Sequence, residues 1–409
     1  MRVPRWMCLA AAAALLLSPS TARAQQPDAA ALQAQIEQLK KEFGERIAAL
    51  EAKLAEAQAA AAQPAPAPAA PAPVDTASAV SNAKVFNPDL SVIGNFVGVA
   101  GKNPNTTQPV FGLSEVEAAF QAVVDPYARA DFYLSAGPDG LEVEEGFITF
   151  NTLPAGLLLK AGKMRAEFGK VNRMHTHALP WADRPLVTQN LLGGEEGLSM
   201  PGVSLSRLIQ NSALFLEATG EAYFGSSDVF ESDPARKSKL TYVGRLRGYR
   251  DITEGSNIDI GGSYAFGPSA HNAMDGEHSS TEVIGFDATF RYRPLRRAIY
   301  RRFQARTELM WSRPTSNGYT GDRAFGYYGS AEYQFARRWF AGGRYDRSAQ
   351  LLYPSVVDTG GSFYVTFWPS EFNQIRGQYR RTNYGDGVKA NEFLFQMNFA
   401  IGAHGAHVF

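Results

Sequence analysis

The end of the chain shows the hydrophobic pattern most clearly. Between Asn391 and Ile401, mostly polar or small residues occupy the even positions, with Leu394 as the exception. The odd positions are large and apolar: Phe393, Phe395, Met397, Phe399 and Ile401. A period of two means a β-strand with one apolar face and one polar face. The pattern predicts a strand that lies between an apolar and an aqueous environment.

The same alternation recurs in short runs from Leu90 onward. In residues 284–292, for example, apolar residues alternate with Gly285, Asp287, Thr289 and Arg291. Tight turns and longer polar connections separate the runs alternately, and counting the runs gives about sixteen strands. The tight turns are expected near Asp125, Pro154, Gln210, Glu254, Pro294, Ala336 and Pro369. Residues 84–409 are therefore predicted to be all-β, forming a transmembrane antiparallel up-and-down β-barrel of about 16 strands.

The first residues have the three parts of a secretory signal peptide. Arg2 and Arg5 form a basic start, Met7–Leu17 an apolar run, and Ala22–Ala24 an A-x-A cleavage site. The apolar run is shorter than the ~20 residues of a transmembrane helix, so residues 1–24 are predicted to be removed. The single cysteine, Cys8, lies in this segment. The mature chain is thus expected to contain no thiol and no disulfide.

Residues 28–62 have the spacing of a coiled-coil helix. Apolar residues recur every three or four positions: Leu32, Ile36, Leu39, Phe43, Ile47, Leu50 and Leu54. The narrow stripe favours self-association over the alternative, a single amphipathic helix that lies on the barrel. Residues 63–83 are a Pro/Ala-rich linker, which predicts a stiff, extended spacer. The N-terminal coiled-coil helix therefore precedes the barrel and is expected in the periplasm.

The whole architecture, with its C-terminal Phe409, resembles the phosphate-selective porins of the O and P type. The most specific local match is Leu159–Gly169, a strand that leads into a long loop, with Pro201–Leu205 after the loop. The resemblance implies an outer-membrane porin surrounded by lipid, a homo-oligomer with the trimer favoured, and recognition of Phe409 by the barrel-assembly machinery. Some relatives are labelled TonB-dependent receptors, but such receptors need about twenty-two strands and a plug, more than this chain provides.

Charge is balanced overall but not along the chain. The sequence holds 40 basic and 40 acidic residues, which argues against a nucleic-acid partner. Residues 84–283 carry 16 basic and 24 acidic side chains, whereas residues 284–409 carry 17 and 9. In a closed barrel these two parts face each other, which predicts a transverse field in the lumen. The alternative is that many of these charges lie in solvated loops.

Alternation assigns a set of charged side chains to the lumen, because Arg or Lys facing lipid near the midplane would cost ~2–4 kcal/mol. The acidic members are Glu115, Glu117, Asp131, Glu217, Asp287, Glu308, Glu332 and Glu392. The basic members, which are candidate selectivity residues, are Arg129, Arg245, Arg247, Arg291, Arg293, Arg306 and Arg344. Several of these arginines could form a ring at the periplasmic mouth that suits phosphate-like anions. Pairing of each arginine with a neighbouring carboxylate is the structural alternative.

The connection 166–200 is the third outer loop by this count and is long enough to be functional. We expect it to form the pore constriction, with Arg173, Arg184, Glu195 and Glu196 as selectivity candidates. The alternative is an outward-facing lid.

Histidines invite a metal hypothesis, but no set has a recognised metal-site spacing. His175 and His177 fall in the third outer loop, and His404 and His407 near the C-terminus. The weak candidates are the outer-loop residues His271 and His278, so no metal and no cofactor are predicted. The chain has no G-x-S-x-G, Walker A or H-E-x-x-H motif, which argues against an enzyme.

The sequence thus favours a passive diffusion channel for small hydrophilic solutes or ions, with anions or phosphate preferred. Two alternatives remain at this point. One is a structural or tethering barrel without an open pore, and the other is a zinc-uptake receptor that uses the outer-loop histidines.

Overall fold

The computed structural model describes Lys41 and residues 88–105, 110–138, 140–194, 196–211, 214–232, 239–270, 279–316 and 319–402. The predicted signal peptide, coiled coil and linker lie outside the described residues, apart from Lys41, which is helical. Glu195, His271, His278, His404, His407 and Phe409 also lie outside them. Among the described residues, no helix is both long and apolar enough to cross a membrane.

The described chain forms one antiparallel sheet that closes on itself. Its strands are β1 (Asp89–Lys102), β2 (Phe111–Asp125), β3 (Ala128–Gly137), β4 (Gly140–Phe150), β5 (Leu157–Arg165), β6 (Ser199–Ile209), β7 (Phe215–Tyr223), β8 (Thr241–Thr253), β9 (Ser256–Pro268), β10 (Ser279–Tyr292), β11 (Arg302–Ser316), β12 (Tyr319–Thr320), β13 (Ala324–Ala336), β14 (Trp339–Ala349), β15 (Val357–Ser370), β16 (Asn373–Asn383) and β17 (Lys389–Gly402). The two-residue β12 only extends the hairpin from β11. The other sixteen strands pair in chain order, and β17 pairs with β1 to close the barrel.

The two faces of the wall differ as the alternation predicts. In β17, the even-numbered Glu392 and Gln396 are buried and the odd-numbered Phe393 is 51% exposed. Leu394, the exception to the sequence pattern, is also buried and faces inward with its even-numbered neighbours. Large apolar side chains such as Phe286 cover the outer surface around the barrel. An apolar exterior around a charged interior is the arrangement of a barrel that lies in lipid.

The connections follow the predicted order of short turns and long loops. Six of the seven predicted turns join strands separated by six residues or fewer, including the 3₁₀ turn Pro154–Gly156. The connection after β10 is longer than a tight turn, because the 3₁₀ helix Leu295–Arg297 is inserted before β11 begins. This helix is closed by the Arg297 N–H, which donates to the Pro294 carbonyl at 3.1 Å.

The third outer loop, residues 166–198, turns inward and crosses the lumen. It contains a 3₁₀ turn, Thr176–Ala178, and a short helix, α1 (Leu186–Leu192), that ends at Gly193 in the left-handed conformation. The α1 helix packs against the inner sides of β13 and β14. The loop also contributes fully buried apolar side chains to a core inside the barrel: Phe168, Val171, Trp181, Val187, Leu191 and Leu192. Within the described residues this loop is therefore part of the interior.

Candidate functional site

The beginning of the third outer loop is held by carboxylates of the wall. Glu308 on β11 is buried and accepts the backbone N–H of Lys170 at 3.1 Å and of Val171 at 2.8 Å. The Lys170 ammonium forms an ion pair with Asp259 on β9. Gly169 allows this tight approach, since its backbone has φ +61° and a Cβ there would meet the Glu308 carboxylate. Backbone donors and one lysine thus fix this end of the loop.

At the middle of the loop the charges are reversed: the loop supplies a carboxylate and the wall supplies arginines. Asp183 accepts hydrogen bonds from Arg344 on β14 at 2.8 Å and from Arg380 on β16 at 2.9 Å. Burial alone would raise the pKa of Asp183, but the two guanidinium groups outweigh it and lower that pKa to about 2. The Arg344 guanidinium also lies 4.8 Å from the ring centre of Trp181, a cation–π contact. Asp183 is therefore ionised and fixed between two strands.

A third attachment involves His175 and the wall formed by β2 and β4. His175 Nε2 lies 2.8 Å from Glu145 Oε1, and Nδ1 lies 2.7 Å from Glu117 Oε2 and 2.9 Å from Glu144 Oε2. Burial lowers the pKa of His175, but the three carboxylates raise it more strongly, so that it lies well above its usual value. Glu144 also pairs with Arg165 at 2.9 Å. The His175 imidazole therefore compensates part of the negative charge that these three carboxylates place on the wall.

Four of the candidate arginines on the wall are paired with carboxylates. Arg245 is buried and bonds Asp287 at 2.8 Å, and Arg247 bonds Asp259 at 3.0 and 2.9 Å. Arg344 takes part in the Asp183 contact described above. The fourth pair, Arg129 with Asp131, lies at the start of β3, at 2.8 Å. Neighbouring carboxylates thus neutralise much of the predicted luminal positive charge.

The remaining wall arginines are less compensated. Arg291 lies 3.8 Å from Asp259 and donates to Asn257 at 3.4 Å. Arg306 is half-buried on β11, on the same face as Glu308, and forms no ion pair within the described residues. Arg293 follows β10 and is exposed. The roles of these residues in selectivity stay predictions.

The candidates in the loop itself have different environments. Arg173 is 44% exposed and pairs with Glu167 at 3.1 Å. Arg184 is buried and donates to the backbone carbonyls of Val171 and Met174, so it braces the loop from within. Glu196 is exposed, and its carbonyl accepts a hydrogen bond from Arg165 at 2.7 Å.

Several luminal residues were missed by sequence reasoning. Alternation could have found Asp259, Arg376 and Arg380, since each lies between outward-facing neighbours in a regular strand. Glu144 and Glu145 are adjacent, and a regular strand would turn only one of them inward. The pairing of β3 with β4 skips Glu144, a bulge that lets both carboxylates reach His175. The sequence of β4 alone does not predict that bulge, because a bulge is defined by the pairing with β3.

No protein-family model matches the chain. The barrel is similar to the anion-selective porin from Comamonas acidovorans, with a TM-score of 0.55, 11% identity, and coverage of 77% of this chain and 99% of that chain. It is also similar to the outer membrane channel DcaP of Acinetobacter baumannii, with a TM-score of 0.53, 11% identity, and coverage of 77% and 97%. At such low identity the likeness concerns the fold.

The fold is that of the outer-membrane porins, a closed barrel of sixteen antiparallel strands. A relative of higher identity is an uncharacterized protein of Aquifex aeolicus (strain VF5), 31% identical over 336 residues, which are 73% of this chain and 70% of that protein. The chain belongs to the same family as this protein. The narrower resemblance to phosphate-selective porins stays a prediction.

Proposed function

We propose that the protein is a porin-type channel of the bacterial outer membrane, through which small hydrophilic solutes or ions diffuse passively. The observation that carries the proposal is the third outer loop, which enters the lumen and is attached to its wall through Glu308, Asp183 and His175. A loop fixed in this way narrows the lumen permanently and does not open and close as a lid. The apolar outer surface supports the membrane location.

A preference for anions, including phosphate-like ones, is the finer part of the proposal. Asp259 is faced by three cations, Lys170, Arg247 and Arg291, and the second carboxylate of this group, Glu217, lies 3.4 Å from Arg247. Arg306 lies on the neighbouring strand and adds to this excess of positive charge. Guanidinium groups that are not fully paired can bind anions through two parallel hydrogen bonds. This face of the lumen would therefore favour anions over cations.

The experiment is single-channel recording of the purified protein in planar lipid bilayers. A salt gradient across the bilayer then gives the reversal potential, and its sign reports the preferred ion. Stepwise currents with a reversal potential on the anion side are expected. Absence of open-channel current under all tested salts and voltages would overturn the channel proposal, and a cation-side potential would overturn only the anion preference.

A tethering barrel without an open pore is the second candidate, because apolar side chains such as Phe168, Trp181 and Leu191 are fully buried inside the barrel. Deletion of residues 28–62 separates the two functions. A channel should keep its conductance, whereas a tether should lose its attachment of the outer membrane to the rest of the envelope.

The oligomeric state is proposed from the sequence. The apolar stripe of residues 28–62 favours a homo-oligomer, with the trimer preferred, and Phe409 would be read by the barrel-assembly machinery. Cross-linking of the full chain against the 28–62 deletion tests the first point. Removal of Phe409, followed by measurement of the amount of folded barrel in the outer membrane, tests the second.

A further inference from the structure

Two imidazoles and four carboxylates meet where the third outer loop touches the inner wall. We refer to His175, His177, Glu115, Glu117, Glu144 and Glu145 as the luminal histidine cluster. We propose that this cluster binds one divalent transition-metal ion of the zinc class, with Glu117, Glu144 and His175 as its central ligands. Ion binding at the cluster does not require that the barrel conduct ions.

The charge of the cluster calls for a cation. Its four carboxylates are buried, and two cationic groups contact them within the described residues: the Arg165 guanidinium, which pairs with Glu144, and the His175 imidazole. Two cations against four carboxylates leave an excess of buried negative charge, which is strongly unfavourable. A divalent ion would supply the missing positive charge.

The geometry at His175 also allows it to act as a metal ligand. Its Nε2 is hydrogen-bonded to Glu145, which leaves Nδ1 as the atom that would bind the ion. Nδ1 lies 2.7 Å from Glu117 Oε2 and 2.9 Å from Glu144 Oε2, so a bound ion would take the place of the proton that the imidazole shares with these carboxylates. A carboxylate on the far ring nitrogen is the usual support of a metal-binding histidine.

The spacing of the ligand atoms also agrees. His177 Nδ1 lies 3.5 Å from Glu117 Oε2 and 3.9 Å from Glu115 Oε1. Ligands about 2.0–2.1 Å from a tetrahedral zinc ion are roughly 3.3–3.4 Å apart, which falls within the range of separations in the cluster. The cluster contains two possible sets of three ligands, each with its ligand atoms within 4.8 Å of one another, and both include Glu117. Glu117 is therefore the residue on which any bound ion depends.

The donor set selects the class of metal. Imidazole nitrogen with carboxylate oxygen suits Zn²⁺, Co²⁺ and Ni²⁺, whereas Ca²⁺ and Mg²⁺ prefer oxygen ligands alone. The sequence contains six histidines, and the four outside the cluster are His271, His278, His404 and His407. Replacing those four histidines by Gln leaves His175 and His177 as the remaining histidines of the sequence. This four-fold variant is the background for the test.

The test is calorimetric titration of Zn²⁺ into the folded, chelator-treated background protein. One ion per chain with micromolar or tighter affinity is expected. Glu117→Gln should weaken binding by at least about 100-fold, and Glu145→Gln, which removes the support of His175, by about 10–100-fold. Glu332→Gln is the matched control, since Glu332 is a half-buried carboxylate on the inward face of β13 without a histidine neighbour in the cluster. It should leave Zn²⁺ affinity unchanged.

Cobalt supplies a second readout. Co²⁺ bound to the background protein should show visible ligand-field bands that His175→Gln weakens strongly and His177→Gln weakens less. Far-UV circular dichroism and the heat-dependent gel mobility of the barrel establish that each variant is folded, and His175→Gln replaces Glu117→Gln if the latter does not fold. No saturable Zn²⁺ binding by the background protein, or equal binding after these substitutions, would overturn the proposal. The histidines would then be protonated partners of the carboxylates.

Discussion

Two neighbouring stretches of the barrel wall hold the third outer loop with opposite chemistry. Strands β9 and β11 present the carboxylates Asp259 and Glu308, which receive an ammonium and two backbone N–H groups from the loop. Strands β14 and β16 present Arg344 and Arg380, which receive the loop carboxylate Asp183. Only β13 lies between β11 and β14, so the polarity of the attachment reverses over a short distance along the wall.

This difference changes the meaning of the charge asymmetry along the sequence. The excess of acid before residue 284 and of base after it predicts a field across an open lumen. In the structure, part of that charge is bound by the loop, which carries donors toward β9 and β11 and a carboxylate toward β14 and β16. What remains for passing ions is the incompletely paired group around Asp259, including Arg291 and Arg306. Part of the charge of the lumen therefore holds the loop and does not act on passing ions.

The largest expected effect comes from removing the third outer loop. Replacing residues 170–194 by a short Gly/Ser linker removes buried apolar side chains and all three attachments, so single-channel conductance should rise several-fold. Deleting residues 321–323, between β12 and β13, is the control and should leave conductance nearly unchanged. Equal conductance of the loop variant and the natural protein would show that the loop is not the constriction.

Breaking the arginine attachment alone should have the next largest effect. Asp183→Asn removes the carboxylate that Arg344 and Arg380 share, although Asp346 and Glu392 still pair with one arginine each. Breaking a buried ion pair costs up to about 3–5 kcal/mol. Limited proteolysis within 179–186 should become faster, and conductance should rise. Asp322→Asn, at an exposed carboxylate in an outer loop, should change neither. If Asp183→Asn resists proteolysis like the natural protein, the arginines do not hold the loop.

Acid should weaken the same attachment. The pKa of Asp183 is about 2 in the folded protein, against 3.8 for an unperturbed aspartate. Because the folded value is the lower one, the attachment is fully stabilising above pH 3.8 and is lost as the pH falls toward 2. Conductance should be constant down to about pH 4 and then rise. The Asp183→Asn variant should lack this step, and a step of equal size in the variant would assign it to another group.

Breaking the carboxylate attachment at Lys170 should matter less. Lys170→Met removes one partner of Asp259, but Arg247 still bonds that carboxylate through two nitrogens. We expect a loss of at most about 2 kcal/mol in the free energy of unfolding, measured by urea denaturation in lipid vesicles. A loss as large as that of Asp183→Asn would mean that the two attachments hold the loop equally.

The smallest effect is expected in ion preference. Arg306→Gln removes a luminal charge without an ion pair in the described residues, so the reversal potential should shift toward cations by a measurable but minor amount. Arg323→Gln removes an exposed charge in an outer loop and should shift it less. Equal shifts for both variants would remove Arg306 from the selectivity candidates.

How far the sequence predicts the site depends on how local the signal is. Alternation places Glu308 and Arg344 on the inner face, because side-chain direction in a strand depends only on parity. The same rule cannot say that Arg344 pairs with Asp183, which is 161 residues away in the chain. His175 and His177 appear in the sequence as scattered loop histidines. Only the inward path of the loop, with the bulge at Glu144, brings them to the carboxylates of β2 and β4.

The barrel, the order of its strands and the alternation of its faces can be predicted from the sequence. Each of these follows from a period of two and from turn residues, which act over a few neighbouring positions. Long-range contacts, in contrast, place residues 166–198 in the lumen and set which charges they neutralise. Those outcomes depend on closure of β17 against β1, since closure brings walls distant in sequence to opposite sides of one small space. The alternating strand that ends in Ile401 therefore predicts the wall, but not what the wall encloses.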